Sequence, residues 1–272
     1  MKKLLDKFLF AVMVLMVVAP AVSVFLWMLS LSLKNEVDTL AYPPALIPSS
    51  PTLANFIAVF DGGPFFSYFL NSVIVSGSAT LMAIAVGVPA GYGITRMKAR
   101  KMLLTIMIAR MTPAISFLIP LFTVFQAIGL TGTLAPIIVT HMVITLPITV
   151  YIVAGYFETL PRELEEAATM DGCSVWQSFR HVALPLARPG IMVAAILAFI
   201  FSWNNFVFGA VLAGRETRTL PVAIYNVLTF EQIAWGPLAA AALLVTLPVL
   251  ILTLFIQKEI VGGLTAGGVK GS

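Results

Sequence analysis

From Met111 to Phe157 the chain carries no formal charge. A run of this length is too long for one helix across a hydrocarbon core of about 30 Å at about 1.5 Å per residue. In its middle, "IGLTGTLAP" (Ile128 to Pro136) supplies two glycines and a proline, a turn signal that divides the run into two spans. Those two spans are placed at about 103–127 and 134–156.

Other uncharged runs have the same character. Phe8–Leu33, Pro189–Gly214 and Gln232–Gln257 are each 26 residues long, and Gly62–Thr95 holds an apolar part from Tyr68 to Gly93. They place four more spans at about 8–33, 68–93, 190–213 and 237–257. The runs are continuous rather than alternating, so helices are expected and not a barrel. The expected fold is an all-α membrane protein of six transmembrane helices in one transmembrane domain, 1–272. Composition agrees: 60% of residues are hydrophobic and 10% charged, against about a quarter charged in soluble domains. The first run exceeds a signal-peptide core, and no small-x-small cleavage site follows "LSLSLK", so it is read as a retained span.

Charge supplies orientation. With the N-terminus inside, the cytoplasmic segments hold Lys2, Lys3, Lys7, Arg96, Lys98, Arg100, Lys101, Arg162, Arg180, Arg188, Lys258 and Lys270. The outside segments hold only Lys34, Arg215 and Arg218, and Arg110 lies within the third span. This bias puts both termini in the cytoplasm and makes the net charge of +4 a topology signal rather than a nucleic-acid footprint. A single cysteine, Cys173, excludes a disulfide framework and a cysteine metal cluster, and no metal site is expected.

The segment 157–189 is longer than a connector needs. Pro161 suits a first helical turn, and Glu163, Glu165 and Glu166 sit where a helix dipole favours acids. Asp171–Gly172 then predicts a sharp turn. A second short helix, about Ser174 to Val182, places Val175, Trp176, Phe179 and Val182 on one side, with Pro185 and Pro189 ending it. That apolar side is expected to seat the loop against its own spans, and the acids with Ala167–Ala168 suit a cleft in a partner.

Glu166-Ala167-Ala168, three residues to Gly172, nine more to Val182, then Leu184-Pro185, resembles the EAA loop of binding-protein-dependent ABC importer permeases. Only Val182, in place of isoleucine, departs from that pattern. "WNNF" (Trp203 to Phe206) resembles the W-N-D/E-F stretch of the carbohydrate-uptake permeases, with Asn205 where an acid is common. "TLPVAIYN" and the tail "GGLTAGGVKG" are similar to the maltose-type six-span partner subunit of that group. The resemblance implies the type I importer fold in a bacterial inner membrane, working beside a second homologous permease subunit. It also implies two ATP-binding subunits that carry ATP and Mg, so the chain needs no cofactor and is no enzyme, and an extracytoplasmic solute-binding protein. By the same carry-over, the loop couples to the ATPase through Glu166, Ala167, Ala168, Asp171, Gly172, Val182, Leu184 and Pro185.

Alternatives have weaker support. All 12 acidic residues fall in loops or at span ends, unlike a proton-coupled carrier. A secondary transporter or channel without an ATPase would have no use for a docking loop. In the tail (258–272), "GGLTAGGVKGS" lacks the spacing and preceding strand of a phosphate loop. Ser76, Ser78 and His141 read as packing and hydrogen-bonding residues ahead of a protease site. Candidate pathway residues are Trp203, Asn204, Asn205, Arg110 and Gln126, with Asn71 weaker. Asn204 and Asn205 serve a sugar or interhelical hydrogen bonding equally, and Arg110 reads as structural or gating ahead of anion binding. The outer loop Gly214–Gly236, with Arg215, Glu216, Thr219 and Tyr225, is the expected surface for the binding protein.

Overall fold

The computed structural model describes residues 2–61, 63–227 and 234–268, and among them every regular element is helical. Four helices among the described residues are long and apolar enough to cross a membrane: Leu5–Ser32, Phe65–Arg96, Leu134–Thr159 and Trp235–Phe255. The number rises to six if each of two sharply bent helix pairs counts as one span. Two compact units divide the chain, 1–66 with 223–248, and 67–222 with 249–272.

In the first unit, the helix Lys2–Ser32 buries none of its most apolar stretch within the chain. Such a surface is stable where lipid or another helix replaces water. Past its end, Lys34 is only 2% exposed; its ammonium donates to the Ala45 carbonyl and sits 4.8 Å from the Trp27 ring centre. A residue that reads as a loop charge in the sequence is thus a buried tie between backbone segments. Asn55 adds two more ties, donating to the carbonyls of Ser32 (3.0 Å) and Lys34 (2.7 Å).

The second unit is organised around Leu134–Thr159. His141, Thr145, Thr149, Val153 and Phe157 recur every four residues and are all buried, forming one stripe along that helix. Gly190, Ala194, Ala198 and Ser202 form a matching stripe of small residues on Arg188–Trp203. A Cβ added at Gly190 would collide with the Tyr156 ring, so this small residue sets the helix–helix distance. Gly91 of Phe65–Arg96 approaches the same central helix, 3.1 Å from the Ala154 nitrogen to where its Cβ would stand.

Two expected spans are not single helices. The third breaks after Arg110 and resumes through Ala114–Ala127 at an angle of 83°. Pro113 explains the break: it offers no N–H, and it drives Thr112 out of the helical region. The fifth ends at Trp203 and restarts as Val207–Leu212. The last helix runs on from Trp235 to Gly268, well into the glycine-rich tail, whose final residues 269–272 lie outside the described ones.

Phe65–Arg96 ends with an instructive cap. Ala99 N–H bonds to the Ile94 carbonyl (2.9 Å) and Lys98 N–H to that of Thr95 (3.2 Å), the paired closure that normally places glycine at the left-handed position. Here Lys98 occupies that position, at φ 53. A left-handed conformation costs an L-residue about 1–2 kcal/mol.

Candidate functional site

The loop after Leu134–Thr159 folds as a hook of two short helices joined by a capped turn. Glu163–Met170 is helical, with its three acids in the first turn. Its end repeats the paired closure: Cys173 N–H to Ala168 O (2.9 Å) and Gly172 N–H to Thr169 O (3.0 Å), with Gly172 at φ +87. That backbone conformation is where glycine is needed. Ser174 and Gln177 then cap the next helix reciprocally, through Gln177 N–H to Ser174 Oγ (3.3 Å) and Ser174 N–H to Gln177 Oε1 (2.8 Å).

This second helix differs from expectation in its length. It passes through a π-helical stretch, Phe179–Ala183, and continues to Leu186, then meets Arg188–Trp203 at 75°. Pro185 does not end it: the backbone stays helical through Ala183 (φ −68, ψ −45) and Leu184 (φ −63, ψ −47) on its N-terminal side. Its apolar side also divides. Phe179 is buried against Tyr92 (4.8 Å between ring centres) and Phe157 (6.4 Å), whereas Trp176 is 61% and Val175 76% exposed. Phe179 therefore seats the loop, and Trp176 and Val175 face outward.

One ion pair fastens the hook. Arg96, at the end of the Phe65–Arg96 helix, grips the Glu165 carboxylate with both its Nη2 and its Nε (3.1 Å). Tyr92, one turn earlier, donates to the same carboxylate at 2.7 Å. Arg96 also donates to the Phe157 carbonyl (3.3 Å), and Arg162 to that of Thr95 (3.3 Å). A forked guanidinium–carboxylate contact of this kind fixes orientation as well as distance. Glu165 and Ala168 face inward, leaving Glu166, Ala167 and Met170 exposed.

The membrane-embedded candidates are placed by their own chain's contacts. Trp203 is buried, stacked on Phe199 (5.5 Å) and edge-on to Phe69 (5.8 Å). Asn204 is exposed and its amide donates to the Ile200 carbonyl (3.0 Å). Asn205 accepts from Phe208 N–H (3.3 Å) and so starts the next helix. His141 bonds Ser202 Oγ at 2.8 Å. Arg110 lies 5.3 Å from the Phe201 ring centre and lines a largely apolar cavity of about 270 Å³ with Thr140 and Phe208. Gln126 is exposed outside that cavity.

A family model described as the binding-protein-dependent transport system inner membrane component matches residues 83–261, more than half of the chain. The chain belongs to this family. The permease is 38% identical to a trehalose transport system permease protein of Mycobacterium tuberculosis, over 96% of its own length and 97% of the relative's. It is 35% identical to a sulfoquinovosyl glycerol transport system permease protein of Agrobacterium fabrum, over 90% and 88%. Among solved structures, a chain of a bacterial ABC transporter involved in alginate import matches with a TM-score of 0.74 at 19% identity. That match covers 94% of the permease and 95% of the other chain, and it bears on the fold.

On the permease's other loop, Arg215 and Glu216 are exposed, while Thr219 is buried beside Gly209 and cannot meet an external partner directly. Asn71 holds this loop, donating to the carbonyls of Glu216 (2.8 Å) and Arg218 (3.0 Å). Tyr225 is exposed, and residues 228–233 of the same segment lie outside the described ones. Sequence reading missed the Tyr92–Arg96–Glu165 joint. Its local sign is the Tyr92/Arg96 pair one turn apart, but Glu165 lies 69 positions from Arg96 and no spacing rule connects them.

Proposed function

We propose that this permease forms half of the translocation pathway of an ATP-driven importer for a sugar or sugar-like solute. In this reading a second homologous permease completes the pathway, two ATP-binding subunits dock on the cytoplasmic side, and an extracytoplasmic binding protein delivers the solute. The supporting observation is the hook: a loop helix fastened at Glu165 and Ala168 that leaves Glu166, Ala167 and Met170 uncovered. An exposed carboxylate flanked by small and apolar side chains suits a basic, grooved partner. The sugar class rests on the relatives' trehalose and sulfoquinovosyl glycerol systems. The chain itself does no ATP chemistry, and ATP with Mg belongs to the partner subunits.

Mechanically, closure of the ATP-binding pair would move the groove that holds the loop helix. The capped turn and the Arg96–Glu165 joint transmit that movement to Phe65–Arg96 and Leu134–Thr159 as rigid-body rotation. Affinity purification through this chain is expected to recover a second permease and an ATP-binding subunit. Glu166→Lys should retain the permease partner and lose at least tenfold of the ATP-binding subunit. Recovery of that subunit at the wild-type level would sink the docking assignment.

Both termini and the loop are assigned to the cytoplasm. A Ser174→Cys variant lacking Cys173 should react with an impermeant maleimide only after the inner face is opened to the reagent. Labelling of intact right-side-out cells would reverse the orientation.

A further inference from the structure

A cavity of about 480 Å³ opens where Phe65–Arg96 gives way to the helix Arg100–Arg110. Four cations line it, Arg96, Lys98, Arg100 and Arg162, against one carboxylate, Glu158. Arg96 is taken by Glu165, and Arg162 donates to a backbone carbonyl. Lys98 and Arg100 form no ion pair among the described residues. Three cations thus face one acid in a space that falls within the range of small-molecule sites, about 300–1,000 Å³.

Two further observations point to a ligand. Lys98 stands at the left-handed position of a helix cap, at φ 53, where glycine would relieve the backbone. Lys98 and Arg100 are both exposed where they line the cavity, with no carboxylate partner in an ion pair among the described residues, so an incoming anion can reach them. Beside it the sequence alternates cations with exposed apolar residues, Met97, Met102 and Leu104. A soluble anion would use only the cations; a lipid would use both, its phosphate in the cavity and its acyl chains along the apolar side chains.

We propose that this cavity binds the phosphate of an anionic phospholipid headgroup, with Lys98 and Arg100 supplying the unpaired charge. Arg96 would then touch the lipid on one side and Glu165 on the other, so the headgroup sits against the fastening of the loop. The proposal requires only that the Arg96 end of the helix lie at a membrane surface. It stands apart from the coupling and sugar assignments.

The test uses the full-length chain, purified with whatever subunits accompany it, in nanodiscs of phosphatidylcholine alone or with phosphatidylglycerol. Native mass spectrometry is expected to show about one phosphatidylglycerol retained per chain in preference to phosphatidylcholine. Lys98→Gly keeps, and even favours, the left-handed cap, so its effect reports charge rather than misfolding. Lys98→Gly and Arg100→Gln should each weaken retention about fivefold. Equal retention of the two lipids, or unchanged retention in both variants, would overturn the proposal. Displacement of the lipid by millimolar inorganic phosphate would assign the site to a free anion instead. Carbodiimide cross-linking of Lys98 to a carboxylate of an accompanying subunit would assign it to a protein partner.

Discussion

Under the proposed function, Gly172→Pro is expected to abolish solute uptake while the permease still inserts and assembles with the second permease. Gly172 holds φ +87, and its N–H donates to the Thr169 carbonyl at 3.0 Å. Proline fixes φ near −65° and has no N–H, so it loses both features and costs about 3 kcal/mol or more locally. The turn between the loop helix and the capped second helix must then reopen, and the angle of the hook is lost. The spans are untouched, because nothing lies within 4 Å of where a Gly172 side chain would project. Gly172→Asn is the control, since asparagine tolerates the left-handed region better than other side chains. It should keep most of the transport. Uptake in whole cells, with membrane abundance measured in parallel, separates the outcomes. Wild-type uptake by the proline variant would show that the turn's angle transmits nothing.

The turn at Gly172 is legible in the sequence because Asp171–Gly172 is a local signal. Thr112–Pro113 is another, and it breaks the third expected span where the chain bends by 83°. An uncharged run measured by length alone hides such a break, because a proline leaves its hydrophobicity almost unchanged. The interruption at Asn204–Phe206 is less visible, because an amide pair reads equally as sugar ligand or interhelical bond. Here the Asn205 side chain accepts from Phe208 N–H in the first turn of the following helix. Trp176 and Phe179 illustrate a different limit. They share one face of a short amphipathic helix, yet one is exposed and the other buried. Periodicity finds the face; only the position of Tyr92 and Phe157 decides which end of it is covered. Lys34 fails for a similar reason, since its carbonyl partner Ala45 comes from an irregular segment without periodicity.

The joint between Arg96 and Glu165 carries the second large expected effect. Both side chains are mostly covered, at 17% and 14% exposure, and each loses its partner if the other is truncated. Glu165→Ala leaves a partly buried guanidinium facing a tyrosine hydroxyl, at a cost of about 2–4 kcal/mol. Arg96→Ala leaves the carboxylate with only Tyr92, and is expected to cost a similar amount. Those losses fall on the fastening of the loop rather than on its outer face. Under the proposed function, the loop helix should therefore still bind the ATP-binding subunit, but its movement should no longer reach the spans. Under the proposed function, ATP hydrolysis by the assembled importer then stops responding to solute-loaded binding protein, and uptake falls at least tenfold. The exchange Arg96→Glu with Glu165→Arg restores one ion pair while giving up the Tyr92 and Phe157 bonds, so it should recover the coupling in part. Tyr92→Phe removes one hydrogen bond and should cost about 1 kcal/mol, with uptake mostly retained. Hydrolysis and uptake measured together on the four variants decide the matter. If both single variants keep solute-stimulated hydrolysis, the joint holds the loop in place without transmitting its motion.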